Sequence, residues 1–231
     1  MGPITVVLYD IDGTLLRSGG AGRGAMQRAA QELFGVDDMF ESLSFAGAVD
    51  SQIVRHAMAA HGVPPTGRNV GLLRHRYVRR LIRSLEHPVG DVCPGAEASV
   101  HAVRKAAKVG LLTGNWKEGA RAKLHGFGLG ELFEGCVGAY GGDGMHRNEL
   151  VPVAVRRAIR RWGRVDRVVV IGDTVADVAC ARAGAEALPG TEVVAVAVET
   201  GFAPIDDLRA SKPDLLLVDL DKGLPDLLSV C

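Results

Sequence analysis

The sequence predicts an α/β fold: a parallel sheet with helices on both faces. Two observations carry this. Five short apolar runs end in polar or charged residues, and most are separated by helix-period segments. After the first run, a long helix-rich stretch without a strand interrupts the series. Runs of this length, rich in Val, Ile and Leu and without alternation, suit strands buried on both faces. Strands alternating with helices imply right-handed crossovers and ligands bound beyond the carboxyl ends of the strands.

The first run, Ile4 to Tyr9, ends at Asp10. From Leu16 to about Val92 there is no strand, but helices are expected over Ala25 to Phe34, Ser51 to His61 and Leu72 to Leu85. The segment opens on Gly19, Gly20, Gly22 and Gly24 and closes on Gly90, Pro94 and Gly95, as a pair of hinge strands would. Its Gly20 to Gly24 stretch lacks dinucleotide-fingerprint spacing and reads as a hinge or substrate loop. Leu73, Tyr77, Leu81 and Leu85 recur every fourth residue, which puts the arginines between Arg74 and Arg83 on the solvated side of a helix. Next come the run Val109 to Leu112, ending at Thr113, and a helix over Trp116 to Leu124. Val155, Ala158, Ile159 and Trp162 mark the apolar face of a crossover helix that Gly163 closes. Val168 to Ile171 then precede Gly172 and Asp173, and Val193 to Val198 and Leu215 to Val218 complete the strands.

Composition narrows the function. With 231 residues, 47% of them hydrophobic, the chain forms one large domain or a domain with a modest insert. Its 27 basic and 27 acidic side chains balance, so no global field gathers nucleic acid or an anionic membrane. The cysteines Cys93, Cys136, Cys180 and Cys231 lie too far apart for a zinc site or a disulfide framework. Asp10 arrives before a signal-peptide core could form, and no apolar run approaches a membrane span. A soluble, cytoplasmic protein is expected.

The residues that end the first three such strands, Asp10, Thr113 and Asp173, would meet at one sheet edge. In Asp10-Ile11-Asp12-Gly13-Thr14 the two carboxylates, two apart, face the same space. Close carboxylates repel unless a cation intervenes, and Mg²⁺ suits such oxygen ligands. Alternatively they are polar turn residues. In Thr113-Gly114-Asn115, Asn115 can cap the following helix, whose free N–H groups would seat a phosphate, or the motif is simply a capped helix. Asp177 falls in the first turn after Asp173, where the helix dipole favours an acid in any case.

Together these motifs resemble the haloacid dehalogenase-like hydrolase superfamily, most of whose members are Mg²⁺-dependent phosphatases. Asp10 to Thr14 match its first motif, Thr113 its second, and Gly172-Asp173-Thr174-x-x-Asp177 its fourth. The resemblance implies a Rossmann-like three-layer catalytic core, residues 1–15 and 93–231, with a type 1 helical cap domain, residues 16–92. Asp10 would be the nucleophile that forms an aspartyl-phosphate, and Asp12 the general acid and then base. Mg²⁺ would be held by Asp10, the backbone carbonyl of Asp12, Asp173 and, directly or through a neighbour, Asp177. Thr113, Gly114 and Asn115 would bind phosphate.

Two departures stand out. The third motif, normally a lysine, reads His146-Arg147-Asn148-Glu149, with Arg147 as the substitute phosphate ligand or else an exposed loop arginine. The cap segment Gly47-Ala48-Val49-Asp50 lacks the basic residue with which many relatives read the substrate, a part left to Arg55 or later arginines. The expected function is hydrolysis of a small phosphorylated metabolite, similar to phosphoglycolate phosphatases, by a monomer or homodimer. A phosphosugar mutase and a non-catalytic phospholigand sensor are the alternatives.

Overall fold

The computed structural model describes residues 2–231, so Met1 of the expected core lies outside the described residues. In chain order, β1 (Thr5–Tyr9) leads to a two-stranded antiparallel ribbon, β2 (Leu16–Arg17) and β3 (Asp91–Val92), paired Leu16 to Val92 and Arg17 to Asp91. Between the ribbon strands lie α1 (Ala21–Phe34), α2 (Asp50–Ala60) and α3 (Gly67–Ser84). The chain continues through α4 (Ala96–Val103), β4 (Lys108–Leu112), α5 (Lys117–Gly126), β5 (Val137–Ala139) and α6 (Leu150–Trp162). It finishes with β6 (Arg167–Gly172), α7 (Val175–Ala187), β7 (Glu192–Val198), α8 (Ile205–Ala210), β8 (Leu215–Leu217) and α9 (Leu224–Ser229).

Apart from the ribbon, the strands form one parallel sheet in the order β5-β4-β1-β6-β7-β8. Alternation along β1 divides its side chains between two apolar layers. Val7 and Tyr9 pack with α4, α5 and α9, while Val6 and Leu8 pack with α6, α7 and α8. The sheet is therefore the middle of three layers. Val168, Val169, Val170 and Ile171 in β6 are each 1% exposed or less. Complete burial of such a side chain contributes about 1.5–3 kcal/mol, so an uninterrupted apolar run is stable only at the centre of the sheet. The order reverses direction around β1, which places the ends of β4, β1 and β6 side by side where ligands collect in such sheets.

The helices between the ribbon strands share a third apolar cluster. Ala25, Met26, Ala29 and Ala30 of α1 pack with Leu73, Tyr77 and Leu81 of α3, together with α2 and Trp116. Of the arginines between Arg74 and Arg83, Arg79 and Arg83 lie exposed on the outer side of α3, while Arg74, Arg76 and Arg80 are half-buried, and Arg76 and Arg80 pair with Glu32 of α1.

Three elements differ from the sequence reading. The Gly20 to Gly24 stretch is not a loop, because α1 begins at Ala21 and its small residues pack closely on α3. Strand β5 has three residues with a central glycine, too short to show a pattern. The buried face of α6 is Val151, Ala154, Val155 and Ala158, whereas Ile159 is 45% exposed. Among the described residues, no helix is long and apolar enough to cross a membrane.

Candidate active site

Register brings the three strand ends together. Tyr9 pairs with Leu111 on one side and Ile171 on the other, so the chain emerges as Asp10 beside the residues leading to Thr113 and Asp173. The Asp10 N–H still donates to the Ile171 carbonyl at 2.9 Å, which carries the strand's rigidity to the first residue beyond it. Gly13 then turns away at φ 82°, and a Cβ there would lie 2.3 Å from Asp173 Oδ2. Only glycine fits this left-handed turn and this approach.

Asp10, Asp173 and Asp177 are all buried, with one carboxylate oxygen of each within 4.8 Å of the others. Arg147, 7% exposed, enters this cluster: its Nη2 lies 3.2 Å from Asp10 Oδ1 and donates to Asp177 Oδ1. Arg147 is therefore a cluster residue and not an exposed loop arginine. Burial raises the pKa of Asp10 against the opposing charge of Arg147, and the Asp177 and Asp12 charges raise it further. Burial likewise raises Asp173, reinforced by Asp177 and Asp10. Ionised together, the three carboxylates would face one guanidinium with two negative charges uncompensated; burial and mutual repulsion therefore favour protons on them until a divalent cation neutralises that charge. Asp177 has a second task in the capping box at the start of α7. Its Oδ2 accepts from the Thr174 N–H at 3.0 Å and hydroxyl at 2.6 Å, while the Thr174 hydroxyl accepts from the Asp177 N–H.

Asp12 opens into the same cavity but turns its carboxylate elsewhere. Its oxygens accept from Lys123 Nζ at 2.8 and 2.6 Å, from Asn115 Nδ2 at 2.7 Å and from the Ser18 hydroxyl at 3.3 Å. Burial pushes the Asp12 pKa up, but the charge and hydrogen bonds of Lys123, with those of Asn115 and Ser18, overcome it and leave it below the usual range. The carboxylate is thus no part of the Asp10 cluster; only its backbone carbonyl remains available for the metal role that the resemblance assigns.

Sequence reasoning misses Lys123, although a signal for it exists. The buried face of α5 reads Ala120, Lys123, Leu124, an apolar stripe broken by one lysine. Asn115 does not cap α5. Its amide spans Asp12 and the Thr113 hydroxyl, and the helix begins instead with the Trp116 N–H donating to Asp50 Oδ2 at 2.7 Å. The Thr113 hydroxyl oxygen accepts from both the N–H and the side-chain amide of Asn115, so its own proton is free to donate into the cavity.

The cavity, about 400 Å³, runs from this cluster to the helices of the third apolar cluster. Asp50 closes it from the α2 side. Its N–H donates to the Gly114 carbonyl at 2.8 Å, and the Trp116 indole N–H donates to the Ser51 hydroxyl alongside at 3.0 Å. Burial lifts the Asp50 pKa to about 7 despite the favourable charge of Lys123 and the Trp116 hydrogen bond. Arg55 does not reach the cavity, since its guanidinium donates to the Pro65 carbonyl. The later Arg74 pairs with Glu118. Arg17 and Arg23 are the lining arginines from this side, and Arg23 donates to the carbonyls of Phe40, Glu41 and Leu43.

A family model described as a haloacid dehalogenase-like hydrolase matches residues 4–184. A phosphoglycolate phosphatase from Cereibacter sphaeroides is 29% identical over 230 residues, covering 96% of each chain. A second from another strain is 28% identical over 179 residues, 77% of this chain and 80% of that one. Among solved structures, CbbY from Rhodobacter sphaeroides in complex with phosphate superposes with a TM-score of 0.70 at 16% identity, covering 95% and 96% of the two chains. A hydrolase from Pseudomonas syringae gives 0.67 at 16% identity over the full length of both. At these identities the two structures speak for the fold.

Proposed function

The chain belongs to the haloacid dehalogenase-like hydrolases, and on that premise we propose that it is a Mg²⁺-dependent phosphatase of a small phosphorylated metabolite, working through an aspartyl-phosphate on Asp10. One observation carries the reading: two carboxylates from one turn open into a single cavity, each with its own cation. Asp10 faces Arg147 within the acidic cluster, and Asp12 faces Lys123.

The buried cluster fits a divalent metal. Asp10 and Asp173, with the Asp12 backbone carbonyl, would hold it. Both oxygens of Asp177 are already engaged by Arg147 and Thr174, which favours a supporting position for that residue. When bound, the ion would neutralise charge so that an anionic carboxylate can approach an anionic phosphate. Thr113 and Arg147 would donate to the phosphate oxygens, with Gly114 and Asn115 shaping the seat.

Asp10 attacks phosphorus, and its oxygen–phosphorus bond forms as the ester P–O bond breaks. The departing oxygen takes the proton of Asp12. Because Lys123 keeps Asp12 anionic at rest, that proton enters with the substrate, on the phosphomonoester monoanion. Asp12 then removes a proton from water as the water oxygen attacks the aspartyl-phosphate. The Asp10–phosphorus bond breaks, Asp12 passes its proton to the departing phosphate, which leaves as the monoanion, and both carboxylates are regenerated. Residues 16–92 act as the cap over the core formed by 1–15 and 93–231; the short ribbon at the joint and the separate apolar cluster of α1, α2 and α3 support this division.

The curated relatives make 2-phosphoglycolate the first substrate to try. A screen of phosphorylated metabolites with Mg²⁺, ranked by kcat/KM, should show phosphate release that a chelator stops. Asp10→Asn should abolish it, and undiminished turnover in that variant would sink the nucleophile assignment. Product analysis with hexose phosphates separates hydrolase from mutase, since only the mutase returns an isomerised sugar phosphate.

A further inference from the structure

One buried cation at the cavity wall holds no phosphate and moves no proton in the mechanism above. Lys123 is 5% exposed, a burial that lysine almost never reaches unless paired. Its partner Asp12 lies 111 positions earlier in the chain, so the pair joins two separate elements of the core. The ammonium has three N–H donors, and the structure shows three acceptors: Asp12 Oδ1 at 2.8 Å, Asp12 Oδ2 at 2.6 Å and Asn115 Oδ1 at 2.7 Å. None is left over for a phosphate. The first turn of α1 covers the ammonium, since a Cβ on Gly22 would lie 3.4 Å from Nζ. Stability does not account for the pair, because a buried ion pair roughly breaks even against an apolar replacement.

We propose that Lys123 is a positioning residue for phosphoryl transfer, acting through Asp12: with Asn115 it fixes both oxygens of that carboxylate at the cavity wall. Asn115 ties the pair to Thr113 at the end of β4, and Lys123 ties it to α5, so Asp12 is oriented by two rigid elements rather than by its own turn. About 37% of the Asp12 side chain stays accessible, the part that meets the substrate. This rests on the phosphatase reading above.

The test is a double-mutant cycle of Lys123→Met and Asp12→Asn, with kcat and KM measured for the best phosphomonoester. Misplacing a reacting group costs on the order of 100-fold, so Lys123→Met should lower kcat by about that factor and leave KM within about threefold. Competitive inhibition by inorganic phosphate should be equally unmoved. In the Asp12→Asn background the same substitution should cost less than about threefold, because the group it positions has already gone. If Lys123→Met does not fold, Lys123→Gln, which keeps an N–H toward Asp12, should show a kcat below wild type with KM unchanged. Wild-type kcat in the folded variant, a KM raised about tenfold, or losses that multiply in the double variant would overturn the assignment of Lys123 alone. A wild-type enzyme that releases no phosphate from any phosphomonoester refutes the phosphatase reading and this proposal with it.

Discussion

Asp50 offers the sharpest thermodynamic test of the cavity's electrostatics. It is 6% exposed, and burial holds its pKa at about 7, against 3.8 for the free side chain. A group whose folded pKa is raised gives stability that is complete below the unfolded value and is lost as pH climbs to the folded one. Asp50→Asn keeps an oxygen for the Trp116 N–H but removes this dependence. Each tenfold change in an acid constant between the unfolded and folded chain is worth about 1.4 kcal/mol, so between about pH 5 and pH 8 the wild type should lose on the order of 3 kcal/mol relative to the variant. For a chain of this size that moves the gap in melting temperature by about 6–12 °C. Thermal melts of both proteins in chelator, across that pH range, read the gap directly. A gap constant to within about 2 °C would refute the claim that Asp50 is folded into the joint between α2 and α5 as a neutral group.

Other outcomes follow from the same contacts. Arg147→Met strands Asp10 and Asp177 without their cation and should cost about 3–5 kcal/mol in denaturant unfolding, while weakening inhibition by inorganic phosphate. Mg²⁺ should raise the melting temperature more at about pH 8 than at about pH 6, because the raised Asp10 and Asp173 must shed protons to bind it; an equal rise at both would contradict the cluster as its site. Leu81→Ala, at a fully buried position of α3, should destabilise by about 2–5 kcal/mol in the same unfolding assay.

Much of the sheet is legible in the sequence because a strand buried on both faces must be apolar throughout, and Val168 to Ile171, buried in β6, is such a run. The acidic motifs are legible for a related reason: a carboxylate directly after such a strand has to lie at the sheet edge. Strand β5 is not, since three residues with a central glycine carry no period. Nor is the exposure of Ile159, because which stripe of an amphipathic helix is buried depends on where the sheet lies beneath it.

Local pattern thus settles the succession of the strands along the chain and the places where Asp10, Thr113 and Asp173 leave them, because burial acts on neighbouring residues. Pairing is decided elsewhere. Lys123 meets Asp12, Arg147 meets Asp10 and Asp177, and Asp50 meets Trp116 only once the chain has folded. A charge reveals its partner through distance in space, and sequence spacing does not encode that distance when the partners come from different layers.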